Sequence, residues 1–223
     1  MKNILVVAPH PDDETLGCGG TLLKHKEMGD QISWLIVTEM KESEGFVAEI
    51  VAKREEEIKT AANLYGFDQV KRLGFATTKL DTLPVGELVA AMSKAFQEIK
   101  PTVVYAPYPG DVHTDHRFVF DAVNACSKSF RYPFIKEVLC YETISETEFN
   151  LDPMASSFKP NRFVNIENHL DQKINIMKTF ASELGEFPFP RSEKVIRAMA
   201  EWRGSMIGTK AAEAQMILKE VIL

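Results

Sequence analysis

Ile4-Leu5-Val6-Val7-Ala8-Pro9-His10-Pro11-Asp12-Asp13-Glu14 decides the fold: an apolar, strand-like run gives out into a histidine and three consecutive carboxylates. Packed carboxylates repel by about 1 kcal/mol per pair at ~4 Å in water, and by several times that near a protein surface. A cation is the natural way to tolerate them, so a divalent metal is the first hypothesis. Far along the chain a second cluster, His113-Thr114-Asp115-His116, follows another apolar run, Thr102-Val103-Val104-Tyr105-Ala106. Its outer residues repeat the i, i+3 spacing of His10 and Asp13.

Strand-like and helix-like segments alternate between and beyond these clusters. The strands are read at Asn3–Ala8, Gln31–Val37, Val70–Phe75, Thr102–Ala106 and Glu137–Tyr141, with a sixth at Arg162–Ile166. Three stripes carry the period of an amphipathic helix. The first runs Val47, Val51, Arg54, Ile58, Ala61, Tyr65; the second Val85, Leu88, Val89, Met92, Phe96, Ile99; the third His116, Val119, Val123, Cys126. This alternation predicts an α/β fold, a doubly wound, mostly parallel sheet with helices on both faces. In a 3-2-1-4-5 strand order, ligands bind at the carboxyl ends of strands one and four, where the order reverses. Those two strands carry the two clusters, although the topology is inferred without them.

The last third reads less regularly. Phe149–Pro160 looks like an irregular excursion. A helix is expected near His169–Glu183, with Leu170, Ile174, Met177, Ala181 and Leu184 on one face, and another around Val195, Met199, Trp202 and Met206. Phe187 and Phe189, in the loop between them, stay without an assigned role.

With 223 residues and 45% hydrophobic content, the chain can form one domain spanning 1–223. A net charge of −6, without basic patches interleaved with aromatics, argues against nucleic acid. The apolar start is too short for a signal peptide, and no run approaches the ~20 residues of a membrane span. Cys18, Cys126 and Cys140 are odd in number and lack Cys-x-x-Cys spacing, which suits a reducing cytoplasm.

Two histidines and a carboxylate around a metal, with a position left for water, make a catalytic zinc site. His10, Asp12, Asp13, His113, Asp115 and His116 exceed the three ligands needed, and hydrolysis uses the surplus to move protons and stabilise charge. Spacing alone leaves open which three bind. Glu14 reads as a solvated helix cap. Gly17-Cys18-Gly19-Gly20 misses the dinucleotide fingerprint and reads as glycine that lets the first helix pack close to the sheet. Arg54 lies on an apolar stripe, where it either pairs with Glu57 or meets a substrate.

These motifs resemble the PIG-L/LmbE-like zinc-dependent N-deacetylases. The likeness rests on Ala8-Pro9-His10-Pro11-Asp12-Asp13-Glu14, Arg54-Glu55-Glu56-Glu57 with the helix end Ala61–Gly66, His113-Thr114-Asp115-His116-Arg117, and more weakly Arg203-Gly204 and Ala212-Glu213-Ala214. The resemblance implies a hydrolase that removes the acetyl group from an N-acetylglucosamine-type sugar, leaving acetate and a free amine. It implies one Zn2+ on His10, Asp13 and His116, with iron, cobalt or manganese as substitutes. Asp12 becomes the general base, and His113, protonated and held by Asp115 or Asp111, stabilises the oxyanion. Arg54 becomes a substrate contact. The family's sugar-contacting acidic residue falls near Thr77, with Asp81 further on. A soluble sugar, glycoside or nucleotide sugar is the expected substrate. Trp202, Met206 and Ile207 could supply the interface of a homo-oligomer. The rival readings are a metal-dependent phosphoesterase, which would want two bridged metals, and a nucleotide-binding module, which leaves both clusters unexplained.

Overall fold

The computed structural model describes residues 1–152 and 157–222. Part of the excursion expected at Phe149–Pro160 therefore lies outside the described residues. Seven strands, β1 (Asn3–Ala8), β2 (Gln31–Glu39), β3 (Gln69–Ala76), β4 (Val103–Pro107), β5 (Glu137–Tyr141), β6 (Arg162–Asn165) and β7 (Ala212–Glu220), form one sheet. Its order is β3-β2-β1-β4-β5-β7-β6. The first five strands are parallel, as the alternation predicts, and the strand order reverses between β1 and β4.

Successive residues of β1 point to opposite faces, and each face has its own core. Ile4 and Val6 pack with Trp34 beneath α1 (Asp13–Glu27), α2 (Ala48–Tyr65), α5 (Leu170–Met177) and α6 (Glu193–Ser205). Leu5 and Val7 pack with Leu35 beneath α3 (Val85–Ile99) and α4 (Thr114–Ala125). The predicted stripes bury Ile58, Ala61 and Tyr65 on α2, Leu88, Met92, Phe96 and Ile99 on α3, and His116, Val119 and Val123 on α4. Their first residues, Val47 and Val85, stay exposed at the helix starts.

The last third corrects the sequence reading in three places. β7 is unexpected, because Ala212-Glu213-Ala214-Gln215-Met216 consists of helix formers. Insertion antiparallel between β5 and β6 overrides that preference, burying Glu213 and Gln215 with the two alanines. The helix expected through Glu183 stops at Met177, since Phe180 turns into the core and a 3-10 turn follows at Ala181–Glu183. On α6 the buried stripe is Ile196, Ala200 and Arg203, leaving Trp202 and Met206 exposed.

α1 is kinked. Cys18 leaves helical geometry at φ −145°, ψ 25°, which breaks the ladder between Leu16 and Gly20. The orphaned groups find partners. The Gly20 and Thr21 amides donate to the Glu213 carboxylate at 2.9 and 2.7 Å, and Lys173 Nζ donates to the Leu16 carbonyl at 2.9 Å and to Glu213 at 2.7 Å. Around the kink the glycines allow the close packing expected of them. A Cβ on Gly17 would lie 2.1 Å from the Tyr141 ring, and one on Gly20 would lie 2.7 Å from Ile166. Gly17→Ala should lower unfolding free energy by about 1–3 kcal/mol, the usual range for overpacking a core. Chemical denaturation would show it, and an unchanged midpoint would mean that α1 can lift from β5 without loss.

Candidate functional site

Beyond β1 the chain turns sharply into α1. The Pro9 carbonyl is fixed by the Thr38 amide at 3.0 Å and the Thr38 hydroxyl at 2.8 Å. Asp12 then sits at φ 137°, ψ −28°, a conformation rare for any residue with a side chain and one that costs on the order of 1–3 kcal/mol. The turn aims Asp12 and Asp13 differently. Asp13 Oδ2 accepts the His10 amide at 2.8 Å and lies 3.3 Å from both His10 Nδ1 and His116 Nε2. Asp12 Oδ2 instead faces Arg191 Nη1 at 3.2 Å.

At the end of β4, α4 supplies the other half. His113 caps the helix, its Nδ1 accepting the Asp115 amide at 3.1 Å, and His116 follows one turn on, 1% exposed. One nitrogen each of His10 and His116 and one oxygen of Asp13 lie within 4.8 Å of one another. Each ring's other nitrogen is held by a carboxylate, His10 Nε2 by Asp115 Oδ2 at 3.1 Å and His116 Nδ1 by Asp111 Oδ2 at 2.7 Å. That pattern fixes the tautomer of a metal-binding imidazole and raises its basicity. A second grouping, His10, His113 and Asp115, shares His10 with the first. Its Asp115 is fully buried and already accepts the Thr78 and Leu80 amides at 2.8 and 3.3 Å.

Electrostatics point the same way. Burial works to lower His10, but hydrogen bonds to Asp115 and Asp13 raise it to about 9. Burial also opposes a charged His116, yet Asp13 and Asp111 hold its pKa well above the ordinary value. Burial pushes Asp13 upward, and the two histidines override it, keeping it well below the usual carboxylate range. The cluster therefore demands positive charge, which two imidazole protons supply when no cation does. Two nitrogens and one oxygen in such a field suit a divalent ion. Binding would displace those protons, so metal affinity should rise with pH through neutrality, because both imidazoles are held above their ordinary value. Competitive chelator titration at several pH values checks this, and a pH-independent affinity would rule it out.

Asp12 behaves differently from its neighbour. Burial, then the Asp13 charge, raises its pKa well above the carboxylate norm, with Arg191 opposing. His113 also departs from expectation. Asp115 and Asp111 are occupied by the rings of His10 and His116, so neither supports a protonated His113. Its Nδ1 is an acceptor, leaving Nε2 to carry a proton, and burial lowers its pKa to about 4. His113 is thus a neutral donor at neutral pH.

Glu14 departs from its sequence reading, and Arg54 meets the first of its two expected partners. Glu14 is not a solvated cap. It is fully buried, accepts the Asp12 amide at 3.1 Å and the Thr15 hydroxyl at 2.5 Å, and burial raises it to about 7. The Glu14 side chain lies wholly inside the molecule. Arg54 lines the site yet is fully engaged: Nε pairs with Glu57 at 3.2 Å, Nη1 donates to the Pro11 carbonyl at 2.9 Å, and Nη2 meets Glu183. It braces the loop that carries Asp12.

The cavity over these residues is walled by Leu16, Met40, Val51 and Ile58 on one side and by Thr77, Thr143 and Glu146 among its polar residues. Asp111, Asp115 and Asp81 do not line it. Sequence reasoning missed Arg191, Glu183, Thr143 and Glu146. Arg191 follows the Phe-Pro-Phe-Pro stretch in a segment without periodicity, and only its Ser192 neighbour, the cap of α6, carries a local signal.

The family model described as GlcNAc-PI de-N-acetylase, PIG-L, matches residues 5–127. Diacetylchitobiose deacetylase of Thermococcus kodakarensis is 28% identical over 100% of this chain and 85% of its own length. A Bacillus anthracis protein named "Probable N-acetyl-alpha-D-glucosaminyl L-malate deacetylase 2" is 34% identical over 55% of this chain and 59% of its own. Among solved structures, a conserved protein of Thermus thermophilus superposes with a TM-score of 0.79 at 28% identity, covering 100% of this chain and 97% of that one. Among the described residues no helix is long and apolar enough to cross a membrane.

Proposed function

Because the chain belongs to the PIG-L family of GlcNAc-PI de-N-acetylases, we propose that it is a metal-dependent N-deacetylase of N-acetylglucosamine-type sugars or their conjugates, releasing acetate and a free amine. The two relatives' names specify different attachments to such a sugar, diacetylchitobiose in one and an L-malate conjugate in the other. The observation that carries the reading is the division of labour between Asp12 and Asp13. Adjacent carboxylates, one drawn into the His10–His116 cluster and one kept out of it, supply a metal ligand and a base in the same turn.

His10, Asp13 and His116 are the residues that would hold the ion, Zn2+ by preference. When bound, it supplies Lewis acidity that polarises a carbonyl and brings the pKa of water toward ~7. Asp12 accepts the proton of the attacking water and returns it to the departing amine, and Arg191 holds its carboxylate in place for both transfers. His113 donates from Nε2 to the acetamide oxygen as charge gathers there. Asp115 and Asp111 act through His10 and His116, as positioning residues. The three cysteines are free and buried, in keeping with a reducing cytoplasm.

The phosphoesterase reading fares worse, since a second metal would have to share His10 and compete for Asp115, which already accepts the Thr78 and Leu80 amides and meets His10 Nε2. The test is release of acetate and of free amine from N-acetylglucosamine, its glycosides and its conjugates, beside phosphomonoesters and phosphodiesters. Acetate from the N-acetyl set alone is expected, abolished by chelation and restored by zinc. Metal-dependent phosphate release with no acetate would overturn the reading.

A further inference from the structure

Every arginine that lines the cavity is already paired. Arg54 meets Glu57 and Glu183, and Arg72 meets Glu55 at 2.7 Å and Glu39 at 2.9 Å. Arg191 contacts Asp12 at 3.2 Å and Glu183 at 3.0 Å, with Glu146 at 3.9 Å. Lysine is absent from the lining among the described residues. Six carboxylates line the cavity, Asp12, Asp13, Glu39, Glu55, Glu146 and Glu183, and they outnumber the three arginines even after a divalent cation is counted. Low-dielectric walls concentrate such a field, so it acts on whatever enters.

A second observation concerns neutral recognition. Thr143 lines the cavity and is fully buried, yet its Oγ1 has no hydrogen-bond partner among the described residues. Buried hydroxyls are normally paired, and one left alone at the wall of a binding cavity points to a ligand that completes it. A hydroxyl both donates and accepts, so its natural counterpart is another hydroxyl or an amide, not a group of fixed charge.

Resting on the deacetylase reading above, we infer that the substrate is an uncharged N-acetylglucosaminide whose own polar group pairs with Thr143, and that conjugates carrying phosphate or carboxylate are disfavoured. Glu39 and Glu55 set this preference, because they neutralise Arg72, the most exposed of the three lining arginines at 31% against 22% for Arg191 and 8% for Arg54.

The test compares methyl N-acetylglucosaminide with N-acetylglucosamine 1-phosphate on the zinc-loaded full chain, at low and high salt. The phosphate should show kcat/KM at least about tenfold lower, with the gap narrowing as salt screens the field. The double variant E39Q/E55Q, which frees Arg72, should raise the phosphate-to-methyl ratio several-fold. T143V should raise KM for the methyl glycoside about tenfold with a smaller change in kcat, whereas T143S should stay near the parent. A phosphate substrate that is as fast as the glycoside, or slower with added salt, overturns the charge preference; an unchanged KM in a folded T143V overturns the hydroxyl contact. Acetate from neither substrate would instead count against the deacetylase reading itself.

Discussion

Asp12→Asn should bind metal as the parent does and lose turnover by about 10²–10⁴, the usual worth of a positioned base. The change removes a charge that is buried beside Asp13, and that burial already holds above the ordinary carboxylate range. Asparagine has the shape of aspartate, so the rare φ at this position costs it no more than it costs the parent. The variant should therefore fold with a midpoint equal to or above the parent's, and any loss of activity belongs to chemistry. In the parent, the acid limb of the kcat/KM profile should lie above the usual carboxylate pKa, since Asp12 works only when deprotonated. In the variant that limb should vanish. A variant with parental turnover, or one that has lost its metal, would remove Asp12 from the role.

Asp13→Asn and His116→Ala should empty the metal site altogether. Asp13 Oδ2 faces both His10 and His116, so neutralising it weakens the whole cluster and not a single bond. The graded control is Asp111→Asn. Asp111 touches the site only through His116 Nδ1, at 2.7 Å, and is itself fixed by the Thr147 hydroxyl at 2.6 Å. Loss of such a supporting carboxylate costs about 10–100-fold in metal affinity. Metal content after gel filtration, with chelator competition for the graded variant, separates the three. If Asp13→Asn keeps stoichiometric metal while Asp12→Asn is empty, the two aspartates have been assigned the wrong way round.

The half of the molecule that could be read from sequence is the half in which local pattern and tertiary placement agree. β1 and β4 are apolar runs that end in polar clusters, and the parallel topology carries those ends to one place. What failed was what depends on distant partners. Arg191 reaches Asp12 across 179 positions, and nothing within a window of the chain announces it. β7 is composed of helix formers and becomes a strand because the gap between β5 and β6 receives it. Glu14 reads as solvated because a carboxylate at a helix start usually is; here the glycine packing against Tyr141 draws that first turn inside. Asp115 shows a subtler limit. Its neighbourhood in sequence suggests support for His113, but a carboxylate two positions away can reach a ring on another strand's loop as readily as its neighbour.

The kink at Cys18 ties the timing of assembly to the far end of the chain. The amides of Gly20 and Thr21 stay unsatisfied until Glu213 arrives, and the Leu16 carbonyl waits for Lys173. During synthesis the parallel strands β1 to β5 emerge long before either residue. The nascent polypeptide then holds both His/Asp motifs without the brace that sets the pitch of the helix behind Asp13. Ribosome-stalled intermediates that end before β7 should consequently fail to retain a divalent ion that longer ones, extending past β7, hold.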